Sequence, residues 1–299
     1  MDLVQRDTIV KPKSRLSIVL VTKSAHKYLE LCLKSLEKNS VYDNELVIVC
    51  DQPSWQTLKL LQEKNIQYYL TNFNHFFMAC NFGAKKASRE YVGFINDDVY
   101  LGPGWDGAIE EVLHPDILAC VTNINPVNGP RFGYGGELRD LSKFDISAFE
   151  DYCLKNRSGK VDSFFWMPLV VNKKVFLDFG GFTYYNSQAH GHEIQLENRI
   201  KWAGGIVVTS NRSFLFHFGN VGNDDKMSAD YRFYYKGFFG CSMCGKIVQN
   251  SEYLDSGPVV EFIQINGYWL CDDCVIKAGK PDNNTIRHLR NLHATRTWD

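Results

Sequence analysis

The sequence predicts an α/β protein built on a doubly wound, mostly parallel sheet, with a small zinc-binding module appended after it. Three observations carry this expectation. Continuous apolar runs alternate with segments of helical periodicity through roughly the first 120 residues, the pattern of strands covered on both faces by crossover helices. One apolar run, "YVGFI", ends abruptly in Asn96-Asp97-Asp98. Two C-x-x-C pairs, Cys241/Cys244 and Cys271/Cys274, stand close to the end of the chain.

Element by element, "LSIVLV" (16–21) is a continuous apolar run and predicts a buried strand. Ser24 is placed to cap the next segment, where Tyr28, Cys32 and Leu36 recur at helical spacing. "ELVIVC" (45–50) predicts a second strand and "TLKLLQEK" a helix, followed by a shorter strand at "IQYYL" (66–70), a helix over 77–89 and the strand 91–95. "NPVNGPRFGYGGEL" (125–138) is rich in Gly, Pro and Asn and reads as a long mobile loop. Regular structure resumes at "VDSFFWMPLVV" (161–171), with a helix near 173–179. An amphipathic helix follows in "GHEIQLENRIKWAGG", carrying Ile194, Leu196, Ile200 and Trp202, with Gly at its exit. "GIVVTS" and "SFLFHFG" predict two closing strands. Composition changes near 236–240. The expected division is an N-terminal extension (1–15), a sheet domain (16–235) and a zinc module with a helical tail (236–299).

A chain of 299 residues that is 44% hydrophobic has ample material for a core, which excludes global disorder. A net charge of −1 leaves no footprint for strong nonspecific binding to nucleic acid or anionic membrane. The N-terminal segment "MDLVQRDTIVKPKSR" has no apolar leader, and the run "FFWMPLVV" is far too short to span a bilayer. The expectation is a soluble, cytoplasmic protein. Cys32, Cys50, Cys80, Cys120 and Cys153 are isolated, mostly in apolar stretches, and read as reduced, buried thiols.

In doubly wound sheets ligands bind beyond the carboxyl ends of the strands. Asn96-Asp97-Asp98 sits at such an end, where adjacent carboxylates suit a hard divalent cation such as Mg²⁺ or Mn²⁺ shared with substrate phosphates. Asp is also common at helix caps and turns, and by itself the segment fits either use.

The order of these segments resembles the inverting glycosyltransferases of family 2, which have the GT-A fold. The resemblance covers roughly residues 15–220. "LSIVLVTKSAHKYLELCLKSL" is similar to the family's opening strand and helix, with Thr22 at its Thr. "ELVIVCDQPS" is similar to its second strand, whose closing Asp holds the nucleotide. "TNFNHFFMACNFGAKKASREYVGFINDDV" is similar to its Asn-rich turn, its Asn-x-Gly helix (Asn81, Gly83) and its Asp-x-Asp strand end. "GGF" followed by "GHEIQLENRIKWAGG" resembles its acceptor-side helix, and "FLFHFG" its late strand ending in His.

This resemblance implies transfer of a sugar from a nucleotide-diphosphate donor to an acceptor hydroxyl, with inversion and with Mn²⁺ or Mg²⁺. It implies Asp98, Asn96 and His217 at the metal; Thr22, Asp51, Asn81 and Asp97 at the donor; and Glu193 as catalytic base. The chain departs from the family's pattern at three places. Cys50-Asp51 stands where Asp-Asp is usual, Asn96 replaces the first Asp of Asp-x-Asp, and His192-Glu193 replaces Glu-Asp, so that Glu193 takes the place of the catalytic Asp. Glu193 also fits a helix acid favoured by the macrodipole, and His217 a satisfied histidine on an apolar strand. His190 and His192 flank the base, while Trp166 and residues 129–136 are expected on the acceptor side.

Four thiolates in two knuckles, with 26 residues between Cys244 and Cys271, suit tetrahedral Zn²⁺ in a zinc-ribbon or treble-clef module. Such modules act as structural staples or contact partners. Seven basic and seven acidic residues in 236–299 do not indicate a strong DNA binder, and the tail "TIRHLRNLHATR" reads as a solvated helix. A sugar-phosphate nucleotidyltransferase would need a Gly-rich loop after the first strand, and "VTKSAHKY" has no glycine. A degenerate transferase domain binding a nucleotide sugar, or a partner through its zinc module, remains the alternative. Glycan, protein and modified nucleic acid all stand as acceptors.

Overall fold

The computed structural model describes residues 11–73, 75–124, 126, 129–134, 140–159, 161–162, 168–182, 192–219, 238–240, 247–249, 262–265 and 268–271. The N-terminal half alternates strand and helix as expected: β1 (Lys13–Thr22), α1 (His26–Asn39), β2 (Asp43–Asp51), α2 (Trp55–Glu63), β3 (Tyr68–Thr71), α3 (Phe76–Lys86) and β4 (Tyr91–Asn96). There follow β5 (Val99–Leu101), α4 (Trp105–Glu110), β6 (Ile117–Ile124), a 3₁₀ turn (Leu141–Lys143), α5 (Ile146–Lys155), β7 (Val161–Asp162), β8 (Leu169–Asn172), α6 (Lys173–Asp178), α7 (His192–Trp202) and β9 (Ile206–His217). Ser54 caps α2 through its side chain. Ser24 does not cap α1; that place falls to Ala25, whose carbonyl accepts from Tyr28 and Leu29.

The main sheet runs β3-β2-β1-β4-β8-β6-β9-β5, with β7 paired to β9. It is mixed rather than mostly parallel. β3, β2, β1 and β4 are parallel neighbours and β6 is parallel to β9, whereas β8 runs against both β4 and β6, and β5 and β7 run against β9. The reversal is physical. Once β8 enters antiparallel beside β4, the second half no longer repeats β-α-β crossovers. The two expected closing strands are one, β9, in which the pairing with β6 jumps from Ser210 to Phe214, so that Asn211–Ser213 bulge out of the ladder. β1 begins at Lys13, ahead of the expected start of the domain.

Strand residues alternate between two cores. Val19, Val21, Val47, Val49, Val92 and Phe94 face α3, α6 and α7, and Leu16, Ile18, Leu20, Ile48, Tyr91 and Ile95 face α1, α2 and α4. Helices on both faces leave ligands only the strand ends. A third, aromatic cluster gathers Tyr28, Tyr100, Tyr134, Phe144, Phe149, Phe216 and Phe218. Tyr134 is wholly buried there and its hydroxyl meets that of Tyr28 at 3.2 Å. Gly133, at φ +80°, turns the chain against the Lys143 carbonyl. Residues 131–134 are thus packed in place, contrary to a mobile loop.

Beyond β9, two hairpins are described: β10 (Phe238–Gly240) with β11 (Ile247–Gln249), and β12 (Phe262–Ile265) with β13 (Tyr268–Cys271). Cys241, Cys244 and Cys274 and the helical tail lie outside the described residues, and of Cys271 only its place at the end of β13 is described.

The Asn-x-Gly helix owes its glycine to the sheet beneath it. A Cβ on Gly83 would stand 2.4 Å from Val19 Cγ1 and 3.2 Å from Val49 Cγ2, and a β-branched valine has little freedom to swing aside. Gly83→Ala is therefore expected to push α3 off β1 and β2 and destabilise the protein by about 1–3 kcal/mol, read as a lowered midpoint in chemical denaturation.

Candidate active site

Because β1, β2, β4, β6 and β9 all point one way, their carboxyl ends share one edge of the sheet. Thr22 ends β1, Asp51 ends β2, Asn96 ends β4 and His217 ends β9. Val21 pairs with Asn96, and His217 pairs with Val99 immediately beyond Asp98. Register thus brings together residues separated by up to 195 positions in the chain.

The two carboxylates differ in their partners. Asp97 Oδ2 accepts from the Thr22 hydroxyl at 2.6 Å. Burial, and then the charge of Asp98, push Asp97 up to about 7, against the opposing pull of Thr22 and nearby backbone amides. Asp98 is 7% exposed; its Oδ1 lies 3.1 Å from His217 Nε2, and its carbonyl accepts from the Phe218 amide. At His217 burial disfavours the charged ring, but Asp98, by charge and hydrogen bond, and then Asp97 outweigh it and raise the pKa. Asn96 Nδ2 sits 3.4 Å from the same imidazole nitrogen, and Asn96 Oδ1 is buried without a hydrogen-bond partner.

The thiols nearby are inert. Burial raises Cys32, with Asp97 and Asp98 adding to it, and burial then Asp97 raise Cys50 to about 12. Their closeness to the carboxylates was not legible in the sequence, which marks both only as small apolar residues.

The Asn96, Asp98 and His217 set fits a divalent cation in its chemistry: a carboxylate and an imidazole meet, the Asn96 amide lies beside the ring through its nitrogen, and its buried oxygen is an unsatisfied acceptor of the kind a cation would complete. Among the described residues no three His, Cys, Asp or Glu side chains gather as a metal cage. That is compatible with Mg²⁺-type sites, which use one or two carboxylates and leave the remaining positions to phosphate and water.

Other expected site residues are engaged in the scaffold. Asp51 is 5% exposed and accepts from the Thr71 hydroxyl at 3.0 Å, the Phe73 amide at 2.7 Å and the His75 amide at 2.9 Å, so it ties the Asn-rich turn to the end of β2. Asn81 exchanges two hydrogen bonds with Phe182, accepting from its amide at 2.8 Å and donating to its carbonyl at 2.7 Å. Glu193 is half-buried in the first turn of α7, and its charge reaches the buried Cys80 thiol, which burial raises first. The His192 side chain, His190 and Trp166 lie outside the described residues. Sequence reading gave no role to Arg199, a buried arginine of α7 that donates to the carbonyls of Phe179 and, at 2.6 Å, Gly181. Its spacing after Glu193 was the available signal.

A sheet covered on both faces, with paired carboxylates at the carboxyl ends of its strands, puts the site where α/β proteins bind their ligands. Residues 17–176, more than half of the chain, match the family described as Glycosyl transferase family 2, and the chain belongs to that family. Among solved structures it is similar to one described as GalNAc-T7 with UDP, GalNAc and Mn²⁺, at a TM-score of 0.51 and 16% identity. The match covers 72% of this chain but only 45% of that one, and it bears on the fold alone. No curated protein sequence matches the chain.

The Asp51 contacts make a distinct prediction. Asp51→Ala leaves the buried His75 amide and the part-buried Phe73 amide and Thr71 hydroxyl without their acceptor, the buried one costing about 1–3 kcal/mol and the others less. The ligand-free protein should therefore lose several degrees of melting temperature in calorimetry, a loss that a residue serving only the donor would not produce.

Proposed function

We propose that the protein transfers a sugar from a nucleotide-diphosphate donor to an acceptor hydroxyl with inversion, and that residues 16–235 form the catalytic domain. The observation that carries this reading is the meeting of Asp98, His217 and the Asn96 amide at the end of β4, in a chain of the family 2 transferases. The structural neighbour's description with UDP and Mn²⁺ supports a nucleotide donor and a divalent cation.

Asp98, Asn96 and His217 would hold Mn²⁺ or Mg²⁺, which supplies Lewis-acid stabilisation of the diphosphate as it leaves. Asp97, held by Thr22 and pushed towards neutrality, is suited to hydrogen-bond a donor hydroxyl such as that of ribose. Thr22 fixes that carboxyl, and Asp51 shapes the wall of the donor cleft by holding residues 71–75. Glu193, at the N-terminal turn of α7, accepts the proton of the acceptor hydroxyl as it attacks the sugar carbon. A single displacement needs one base and no enzyme nucleophile, which gives inversion. Among the described residues no helix is long and apolar enough to cross a membrane.

The test begins with nucleoside diphosphates and Mn²⁺ in a thermal-shift panel, where a ligand at a hundred times its Kd stabilises by about 2.7 kcal/mol. Turnover of the matching donor should follow. Asp98→Asn is expected to abolish metal-dependent donor binding while the fold survives. Glu193→Gln should lower kcat by about 10²–10⁴-fold with donor affinity unchanged. Undiminished turnover in Asp98→Asn would overturn the site, and donor binding without any turnover would replace the enzyme by a nucleotide-sugar-binding module.

For residues 236–299 the reading is a zinc module. In sequence the first Cys pair falls between the paired strands β10 and β11, and the second begins at the last residue of β13; knuckles flanked by short hairpins support it. One zinc per chain held by Cys241, Cys244, Cys271 and Cys274 is expected by elemental analysis of reduced protein. Cys244→Ser should release it and melt this module alone. A module of this kind is also the natural place for a partner contact.

A further inference from the structure

We infer that Asn81 is a positioning residue for the acceptor-side helix rather than a donor ligand: it clamps the Gly181-Phe182 turn, and through that turn sets where α7 presents Glu193. The inference rests on the proposed role of Glu193 and adds the device that places it.

The clamp has four parts. First, both polar atoms of the Asn81 amide are spent on the two backbone groups of Phe182, at 2.8 and 2.7 Å, a two-point pairing like that between neighbouring strands. Second, Gly181 sits at φ +69°, and a Cβ there would stand 2.4 Å from Asn81 Oδ1, so conformation and space both require glycine. Third, Arg199, further along α7 from Glu193, donates to the carbonyls of Phe179 and Gly181, so α7 grips the turn that Asn81 grips from α3. Fourth, the Phe182 ring packs on Phe77 of α3 and Phe94 of β4, each at 4.9 Å between centroids, and on Phe176 of α6 at 5.2 Å.

β4 is the strand that ends in the carboxylate pair. The turn therefore joins the helix of the base to the strand of the metal site by fixed hydrogen bonds and ring contacts. Electrostatics agree with this placement: Cys80, the neighbour of Asn81, feels the Glu193 charge. The two bonds to Phe182 engage one amide hydrogen and one oxygen lone pair and fix the plane of the Asn81 amide against the 181–182 turn. Misplacing a catalytic group by about 1 Å can lower a rate by roughly 10²-fold.

The experiment compares wild type with Asn81→Ala by two independent readouts. Amide hydrogen exchange follows α7 and β4 in the ligand-free protein, and titration calorimetry follows the nucleoside diphosphate that binds wild type best with Mn²⁺. The expected result is exchange at least about tenfold faster in α7 with β4 unchanged, donor affinity within about twofold, and kcat lower by roughly 10²-fold. Asn81→Asp retains acceptance from the Phe182 amide but sets a carboxylate oxygen against its carbonyl, and should show a milder form of the same pattern; it also serves if Asn81→Ala fails to fold. Gly181→Ala, which attacks the turn from the other side, should reproduce it. Unchanged α7 exchange in these variants, or donor affinity lost more than tenfold with α7 protection intact, would overturn the inference. A wild type that binds no nucleoside diphosphate would instead defeat the transferase reading, and the exchange measurement would still decide the clamp.

Discussion

Everything at the active edge follows from placing two adjacent carboxylates at the end of a strand buried on both faces. Like charges side by side in a poorly solvated place are costly unless each finds its own compensation. Asp97 finds it in the Thr22 hydroxyl and in partial neutralisation. Asp98 finds it in His217, delivered from the other half of the sheet by β9. Asn96, beside them, keeps a buried oxygen without a hydrogen-bond partner. Two adjacent carboxylates and an unsatisfied acceptor give such a site an electrostatic reason to bind a cation.

That scaffold leans heavily on α3. Its Gly83 lets the helix lie directly on Val19 and Val49, its Asn81 holds the 181–182 turn, and its capping residue His75 donates its amide to Asp51. One short helix therefore connects the ends of β1 and β2 to the helix that carries Glu193. On the opposite side, the aromatic cluster of Tyr28, Tyr134, Phe216 and Phe218 braces the residues on either side of His217. The residues at the ends of β1, β2, β4 and β9 and the helix α7 are thus tied to a shared core. This division of labour explains why polar side chains near the edge, such as Asp51, serve the backbone first.

The sequence by itself determined the N-terminal four strands and their helices, because period-two burial on both faces writes a continuous apolar run and the intervening helices write a 3.6-residue one. It also marked Asn96-Asp97-Asp98 as a strand end, since polar residues cannot continue a two-faced core. Ser24, one residue too early, misled as a cap: α1 starts from Ala25, which has no capping side chain. Only the tertiary structure decided the rest. The antiparallel entry of β8 is a matter of topology that residue periodicity does not encode, because a buried strand has the same apolar pattern in either direction. The union of Asp98 with His217 depends on the register of β9 across residues distant in the chain. The resemblance set Asn81 at the donor; its two hydrogen bonds to Phe182, 101 residues on, are a contact that only the tertiary structure shows.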